Sequence, residues 1–174
     1  MKRPATITNS EANAINTHLD LQDSLIFRLS IESGARISDI LQLTATAIRQ
    51  NPIEIYESKS KRARSVTMSD ELHGSLLRWF TRDSDKIAFR SVRNVLKPYN
   101  RMTYHRHLKR AAEYRKINVS AHSARKLYAR NVYERIKDIF AVQEALHHKF
   151  ITTTATYLDI DLVELIKANI PPPK

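Results

Sequence analysis

The sequence predicts a mainly α-helical protein with a small antiparallel β-sheet, an α+β fold. Apolar residues recur at helical spacing in most of the chain, and the 174 residues include only two glycines, Gly34 and Gly74. Few glycines and few turn signals are typical of helices joined by short loops. Residues 53–57 alternate apolar and charged side chains instead, as a strand does.

Length and charge limit the class of protein. A chain of 174 residues can bury a hydrophobic core without disulfides or metals, so we expect one domain spanning residues 1–174. Lys and Arg total 29 against 18 Asp and Glu, which gives a formal charge of +11 and a pI of about 10.0. This charge favours a polyanionic partner, nucleic acid first, with a membrane surface or solubility as the alternatives.

The residue types that the sequence lacks exclude several kinds of site. The absence of cysteine excludes a disulfide framework, a thiolate nucleophile and a zinc finger. Neither a metal nor a cofactor is expected. No apolar run approaches the roughly 18 residues that a spanning helix needs, and no apolar signal segment follows residues 1–4. We therefore expect a cytoplasmic, unprocessed protein without a membrane partner.

The first two helices have recognisable ends. Thr8 and Glu11 have the spacing of a capping box, so a short helix is expected from there to about His18. Leucine then recurs every fourth residue over residues 21–29, which predicts a second helix. Gly34 lies where a left-handed residue would end that helix.

A β-hairpin is expected next. After a short helical face in residues 37–41 and a break at Pro52, residues 53–57 have the alternation of a strand. Residues 58–64 are predicted to form a polar turn, and residues 65–68 the return strand.

The remaining chain is predicted to be helical, apart from a weakly patterned stretch at residues 81–101. Ser69 has the character of an N-cap, and the helix that follows carries Leu72, Leu76, Leu77 and Phe80. The weakly patterned stretch carries scattered basic residues, namely Arg82, Lys86, Arg90, Arg93, Lys97 and Arg101. Later helices are expected at about 103–116, 121–135, 138–147, 151–158 and 161–169, before Pro171, Pro172 and Pro173.

Two early segments carry basic residues at the edges of the predicted elements. Arg36 lies between the end of one helix and the start of the next, with Asp39 three residues later. On this segment alone, a surface ion pair between them is the favoured interpretation. Lys59 lies in the predicted hairpin turn, where a lysine can reach outward, although nearly any basic hairpin has this pattern.

Two later segments combine histidine with a phosphate-binding or nucleophilic side chain. His122 and Arg125 lie on one side of a helix start and suit an anion, because arginine offers a planar fork of donors and histidine can move a proton. A solvated helix face fits that pair equally well. His148 lies nine residues before Tyr157, with threonines between them. A tyrosine on a helix is usually an amphipathic core residue, as the other six are expected to be.

Taken together, these residues resemble the catalytic set of the tyrosine recombinases, the phage integrase family. In chain order the set is Arg36, Lys59, His122, Arg125, His148 and Tyr157. The resemblance covers about residues 8–160, and its most specific parts are Gly-x-Arg-x-x-Asp, His-x-x-Arg and Leu-x-His followed by Thr-Thr and Tyr. It implies a catalytic-domain fold that is mainly helical, with a small sheet that carries the lysine.

The chain departs from the family pattern at two side chains. The family commonly has glycine before the second histidine, where this chain has His147, so His147 and His148 compete for the role. Spacing to Tyr157 favours His148. Lys61 is a rival of Lys59, and the family's turn, with its lysine directly after the first strand, favours Lys59.

The resemblance also bears on the ends of the chain. Most relatives carry an N-terminal domain that grips the other face of DNA, and none is expected here. The chain is then either a fragment or a compact member, like the fimbrial inversion recombinases. Residues 161–174 are expected to form a C-terminal helix and tail, which pack on their own core or dock on a neighbouring protomer.

The resemblance implies DNA strand cleavage without a metal. Tyr157 would attack a phosphodiester and form a 3′-phosphotyrosine bond. Arg36 and Arg125 would bind the nonbridging oxygens, an interaction of roughly 3–4 kcal/mol per donor in the transition state, and His148 would donate a hydrogen bond to the phosphate.

Proton transfer and strand exchange complete the implied mechanism. Lys59 would be the general acid for the departing 5′-hydroxyl, and His122 would assist proton transfer at Tyr157. Asp39 would orient local structure. A 5′-hydroxyl from another duplex could then reverse the attack, which gives site-specific recombination: integration, excision or inversion.

Two other functions share part of this pattern. A type IB topoisomerase or telomere resolvase uses the same chemistry, and a non-catalytic DNA-binding protein could use the same scaffold. The expected partners are double-stranded DNA, copies of the chain in a dimer or synaptic tetramer, and accessory DNA-bending proteins at the nucleoid of a bacterial or phage-infected host. The residues expected from the sequence to contact DNA are His105, Arg106, His107, Lys109 and Arg110, with a solvated helix face as the alternative.

Overall fold

The computed structural model describes residues 6–80, 87–91 and 97–163, and the chain divides into two compact units, Met1–Tyr128 and Ala129–Lys174. In chain order the described helices are α1 (Asn9–Asn16), α2 (Leu21–Ser33), α3 (Ile37–Ile40), α4 (Ala45–Ile48), α5 (Asp70–Trp79), α6 (Arg101–Glu113), α7 (Ser123–Ile136), α8 (Ile139–Ala145) and α9 (Ile151–Leu158). The strands β1 (Ile53–Glu57) and β2 (Arg62–Val66) form a two-stranded antiparallel sheet. This architecture confirms the predicted fold class.

Local side-chain signals set the ends of α1 and α2. The Thr8 hydroxyl accepts a hydrogen bond from the Glu11 amide, and the Glu11 carboxylate accepts one from the Thr8 amide, which is the predicted capping box. Asp20 caps α2 by accepting from the Asp23 amide. Gly34 ends α2 in the left-handed conformation, with φ 62°.

The first unit packs around α2, which contacts α1, α3, α5 and α6. Leu25, Ile26, Phe27 and Leu29 are all almost fully buried, so α2 is apolar on more than one face. A helix with this distribution belongs in a core rather than at a surface. Each such side chain contributes about 1.5–3 kcal/mol by its burial.

The hairpin has the predicted first strand but a longer second strand than predicted. Ile53 pairs with Val66 and Glu57 with Arg62, so the predicted return strand exists, but it spans Arg62–Val66 and the predicted bounds of 65–68 are wrong. The reason is the short loop: the Lys61 amide donates to the Glu57 carbonyl at 2.9 Å, and Lys61 adopts φ 57°. Because β2 is mostly exposed, it has no apolar alternation that would mark its start.

The second unit contains the end of α7 together with α8 and α9, and α8 packs against α9. Val142 on α8, Leu146 at its C-terminal end and Ala155 on α9 are buried. Asp138 caps α8 by accepting from the Phe140 amide. The bounds of α9 agree with the prediction for residues 151–158.

Some predictions fall outside the described residues. These are most of the predicted helix at 161–169, the tail with its prolines, and Arg82, Lys86 and Arg93. Among the residues that the structure does describe, no helix combines the length and apolar character needed to cross a bilayer.

Gly34 gives a prediction on stability. A Cβ at this position would clash with the Tyr128 ring, and φ 62° disfavours any L side chain. We expect Gly34→Ala to lower the free energy of unfolding by about 2–4 kcal/mol, measured by urea denaturation. The control is Gly74→Ala inside α5, where the added Cβ would meet the Arg78 side chain at 3.4 Å, an ordinary van der Waals contact. This variant should be more stable than wild type by up to about 1 kcal/mol. Equal stability of the two variants would contradict this account.

Candidate active site

Arg36 is held at the junction of α2 and α3 by a buried carboxylate from the hairpin. It is the N-cap residue of α3, and its Nη1 donates to Glu57 Oε2 at 3.1 Å. The same nitrogen lies 3.9 Å from Asp39 Oδ2. The predicted Arg36–Asp39 pair therefore exists, but Glu57 is the nearer partner.

Arg125 reaches the same carboxylate from the first turn of α7. Its Nη1 lies 3.8 Å from Glu57 Oε1 and donates to the Gly34 carbonyl at 2.5 Å. The Arg125 side chain is only 2% exposed, against 20% for Arg36. The structure thus brings together two predicted site residues that are far apart in the sequence.

Arg64 of β2 is a third guanidinium at Glu57. Its Nε lies 3.9 Å from Glu57 Oε1, and its Nη2 donates to the Ser33 carbonyl at 2.5 Å. Burial acts to raise the pKa of Glu57, but the Ser60 hydrogen bond and the charges of Arg64, Arg125 and Arg36 outweigh it and lower that pKa. Glu57 is therefore ionised at neutral pH.

The hairpin loop that carries Lys59 is fixed at both ends. The Ser58 hydroxyl donates to Asp39 Oδ1 at 2.5 Å, and the Ser60 hydroxyl donates to Glu57 Oε2 at 2.8 Å. Lys59 lies between these two anchored serines and is exposed, as is Lys61. Asp39 thus orients the loop, in keeping with the structural role expected for it.

His122 lies at the start of α7, within the electrostatic influence of these arginines. Desolvation lowers its pKa, and the positive charges of Arg125, Arg101, Arg36 and Lys126 lower it further. A lowered pKa favours the neutral imidazole at physiological pH, and a neutral imidazole can accept a proton. In the first unit, His122 therefore belongs to the same electrostatic group as Arg36 and Arg125.

In the second unit, His148 contacts Tyr157 directly. Their ring centroids are 4.9 Å apart with an interplanar angle of 74°, an edge-to-face arrangement. His148 Nδ1 lies 3.1 Å from the Thr154 hydroxyl, and the His148 carbonyl accepts from the Gln143 side chain. Both rings are half-buried. Tyr157 lies on α9, and His148 is restrained by its contact with Thr154 of the same helix.

His147 occupies a backbone position suited to glycine. Its φ is 48°, in the left-handed region, and it follows Leu146, the residue that ends α8. The chain thereby turns so that His148, the next residue, contacts Tyr157. This geometry favours His148 over His147, as the spacing to Tyr157 does.

The basic residues of α6 separate into two groups. His105, Arg106, Lys109 and Arg110 all line one depression of about 650 Å³ on the surface of the first unit. His107 does not line it: its Nδ1 lies 2.7 Å from Asp23 Oδ2 and 3.0 Å from the Tyr99 hydroxyl. His107 therefore contacts Asp23 and Tyr99 and does not belong to the group of basic residues that line the depression.

Among the described residues, Asp20, Asp23 and His107 form a group whose side-chain atoms could hold a metal ion. Atoms of Asp20, Asp23 and His107 lie within 4.8 Å of one another. Asp20 already caps α2, and Asp23 Oδ2 accepts from Tyr99 at 3.3 Å and faces His107. These contacts form an internal hydrogen-bond network, and no metal is needed to account for them.

Asp23 gives a prediction on pH dependence. Burial raises its pKa from 3.8 to about 6, so between these values the folded state binds more protons than the unfolded state. Its contribution to stability is therefore favourable at low pH and is lost as pH rises through about 6, by about 2–3 kcal/mol in total. We expect Asp23→Asn to remove this loss, as urea unfolding at pH 4 and pH 7 would show.

The matched control is Asp20→Asn, which leaves the buried Asp23 in place. It should keep most of the pH dependence of the wild type. If Asp23→Asn had the same pH dependence as the wild type, burial of Asp23 would not be its source.

Sequence reasoning missed two residues of the site, Glu57 and Arg64. The signal for Glu57 was present, because the alternation that predicts β1 places Ile53, Ile55 and Glu57 on one face. Arg64 had no such signal, since the sequence places it in a polar turn. Its position depends on the early start of β2.

The profile of the phage integrase family matches residues 5–162. A probable integrase/recombinase of Bacillus subtilis (strain 168), YoeC, is 32% identical over 145 residues, which cover 80% of this chain and 78% of that protein. The tyrosine recombinase XerA of Thermococcus kodakarensis is 27% identical over 165 residues, covering 85% of this chain and 54% of that protein. The chain thus spans about half the length of several curated relatives.

Solved structures share the fold. A crystal structure of XerA recombinase superposes with a TM-score of 0.75 at 22% identity, covering 98% of this chain and 65% of that one. A lambda integrase dimer bound to a core site superposes with a TM-score of 0.72 at 19% identity, covering 91% of this chain and 60% of that one. The family profile covers most of this chain, and one relative is more than 30% identical to it. The chain therefore belongs to the phage integrase family, the tyrosine recombinases.

Proposed function

We propose that this chain is the catalytic part of a site-specific recombinase that cleaves and rejoins DNA through a bond to Tyr157. The observation that carries the proposal is the convergence of Arg36 and Arg125 on one buried carboxylate, Glu57. Two guanidinium groups at one place suit the nonbridging oxygens of a phosphodiester. His122, with its lowered pKa, belongs to the same group of charges.

In the proposed reaction the Tyr157 hydroxyl oxygen attacks phosphorus. A new oxygen–phosphorus bond forms, the bond to the 5′-oxygen breaks, and the tyrosine proton passes to a base. His122 in its neutral form is the proposed acceptor, and Lys59 donates a proton to the 5′-oxygen. A tyrosine hydroxyl has an ordinary pKa of about 10, so a base and nearby cations both assist the attack.

The arginines and His148 stabilise charge in this proposal. Arg36 and Arg125 bind the oxygens on which negative charge develops, and the ion pairs with Glu57 hold them in place before the substrate arrives. His148 contacts the Tyr157 ring and is the proposed donor to the phosphate. Reversal of the attack by a 5′-hydroxyl from another duplex rejoins the strands without ATP.

DNA and further copies of the chain are the proposed partners. The formal charge of +11 suits a polyanion, and the α6 depression is lined by His105, Arg106, Lys109 and Arg110. Structural neighbours include a XerH recombinase bound to its substrate and a lambda integrase dimer on a core site. By analogy, we propose binding to duplex DNA as an oligomer. DNA-bending accessory proteins and nucleoid association stay predictions.

The depression lined by the basic residues of α6 gives a prediction on the salt dependence of DNA binding. Replacing Arg106 and Lys109 together by alanine should weaken binding to a non-specific duplex and reduce the slope of log affinity against log salt by about 2, since each phosphate contact contributes about 0.9. Fluorescence anisotropy at several salt concentrations measures both quantities. The control is Arg78→Ala, an exposed arginine on α5, which should leave the slope unchanged. An unchanged slope in the double variant would remove α6 from the DNA interface.

The direct test of the proposed function is covalent capture. The protein is incubated with a library of nicked suicide duplexes in which the short fragment that carries the new 5′-hydroxyl diffuses away after cleavage. Protein-linked DNA is then recovered under denaturing conditions. The expected result is an adduct whose DNA is attached to Tyr157, located by mass spectrometry of the peptide. Absence of any adduct across the library would refute the proposal.

A further inference from the structure

Glu57 is a charged side chain at a position where the strand pattern calls for an apolar one. Ile53, Ile55 and Glu57 share the buried face of β1, and the Glu57 side chain is 0% exposed. Taking a carboxylate out of water costs several kcal/mol unless cations and hydrogen bonds compensate for it. Here a hydrogen bond and three nearby arginines outweigh the cost of burial, so the pKa of Glu57 is lowered from its ordinary value instead of raised.

The compensating groups come from three separate parts of the first unit. Arg36 is supplied by the α2–α3 junction at 3.1 Å, Arg125 by the start of α7 at 3.8 Å, and Arg64 by β2 at 3.9 Å. Ser60 of the hairpin loop donates at 2.8 Å. One carboxylate therefore links both proposed phosphate-binding arginines to the loop that carries Lys59.

Such an arrangement is a poor choice for stability alone. Replacing a buried ion network by apolar residues of similar volume is often neutral or stabilising, so the network itself is weak grounds for a purely structural role. Without a carboxylate, three guanidinium groups would repel one another. A negative charge between them sets the distance at which they can remain together.

We propose that Glu57 is a positioning residue, which holds Arg36 and Arg125 at the spacing and orientation needed to bind one phosphate and ties the Lys59 loop to the same centre. Its effect on DNA cleavage rests on the proposed function, whereas its effect on the arginines does not. Glu57 contacts no substrate in this scheme. It acts through the two guanidinium groups.

The proposal predicts that binding and chemistry respond differently to Glu57→Gln. Loss of one negative charge makes the centre more positive, so ground-state attraction for DNA is kept or increased. The arginines lose their common anchor, so stabilisation of the transition state falls. We expect single-turnover formation of the Tyr157 adduct to slow about 10- to 100-fold, with DNA affinity within twofold of wild type or tighter.

The matched control is Glu54→Gln, because Glu54 lies on the exposed face of the same strand. It removes the same charge from β1 and should leave both rate and affinity unchanged. Glu57→Asp keeps the charge but withdraws it by one methylene, and should give an intermediate rate. If Glu57→Gln fails to fold, Glu57→Asp replaces it in the test. Adduct formation should then be slower than in the wild type while DNA affinity is unchanged.

A second measurement tests positioning without any cleavage. In ¹⁵N-labelled protein, the guanidinium groups of Arg36 and Arg125 should show slow rotation and slow hydrogen exchange in the wild type and in Glu54→Gln. Both should become fast for at least one of the two arginines in Glu57→Gln, or in Glu57→Asp if that variant alone folds.

The outcomes separate this proposal from the function itself. No adduct with the wild type would refute the proposed function, and the arginine dynamics would still decide whether Glu57 positions the pair. A wild-type adduct with an unchanged rate in Glu57→Gln overturns the positioning role alone. A slow rate matched by an equal loss of DNA affinity or of folded protein would also overturn it, because that pattern indicates a general role in the fold.

Discussion

Replacing Tyr157 by phenylalanine is expected to abolish the covalent protein–DNA adduct, because the substitution removes the hydroxyl oxygen that is the proposed nucleophile. The ring stays, so its edge-to-face contact with His148 at 4.9 Å and its packing on α9 should persist. Binding to a duplex measured by anisotropy should therefore stay within twofold of wild type. Denaturing electrophoresis of the suicide-substrate reaction should show no shifted band.

A second half-buried tyrosine provides the control. Tyr133→Phe on α7 removes the same atom from the same kind of ring and should leave adduct formation unchanged. An adduct that survives in Tyr157→Phe would mean that another side chain attacks the DNA. Relaxation of supercoiled plasmid without joined products from two sites would favour the topoisomerase alternative, which also depends on Tyr157.

Elements with a local chemical signal were predicted well. The capping box at Thr8, the N-cap at Ser69 and the left-handed Gly34 are each decided by a few neighbouring residues, and the structure has all three. The strand at residues 53–57 was equally clear, because alternation with period two needs no distant partner.

Elements that depend on distant contacts were not predicted. The short helix α4 and the early start of β2 leave little periodicity in the sequence. β2 is defined by pairing with β1, from Ile53 with Val66 to Glu57 with Arg62. A strand whose side chains are mostly exposed carries no hydrophobic signal, so its bounds follow from the loop length.

The residues of the candidate site also fall into those that the sequence predicts and those that only the structure shows. Arg36, Arg125, His148 and Tyr157 were identified by motif spacing, which records chemistry rather than three-dimensional contact. Glu57 belongs to no motif, and its importance appears only when three chain segments converge on it. The family pattern marks which residues are proposed to react, and the structure adds the contacts that hold Arg36 and Arg125 in place.

Arg125→Lys is expected to slow adduct formation by about 10²- to 10³-fold while DNA binding changes little. Lysine keeps the charge but lacks the planar fork, and the loss of one well-placed donor to a developing oxyanion has roughly this effect. Single-turnover kinetics on the captured suicide duplex measure the change. Arg125→Ala should in addition destabilise the fold by about 3–5 kcal/mol, because buried Glu57 then loses one of its compensating charges.

Arg130→Lys is the control on the same helix, since Arg130 is half exposed and pairs with Glu134 at 2.8 Å. An exposed i,i+4 pair contributes little, so its rate should stay within twofold and its stability within about 0.5 kcal/mol of wild type. Arg125 differs because it is 2% exposed and its Nη1 serves both the Gly34 carbonyl and Glu57. The three donors of a lysine ammonium group all lie on one nitrogen, so they lack the planar spread with which a guanidinium reaches both contacts and a phosphate at once. Wild-type rates in Arg125→Lys would therefore show that charge alone, and not the arginine fork, is what this position supplies.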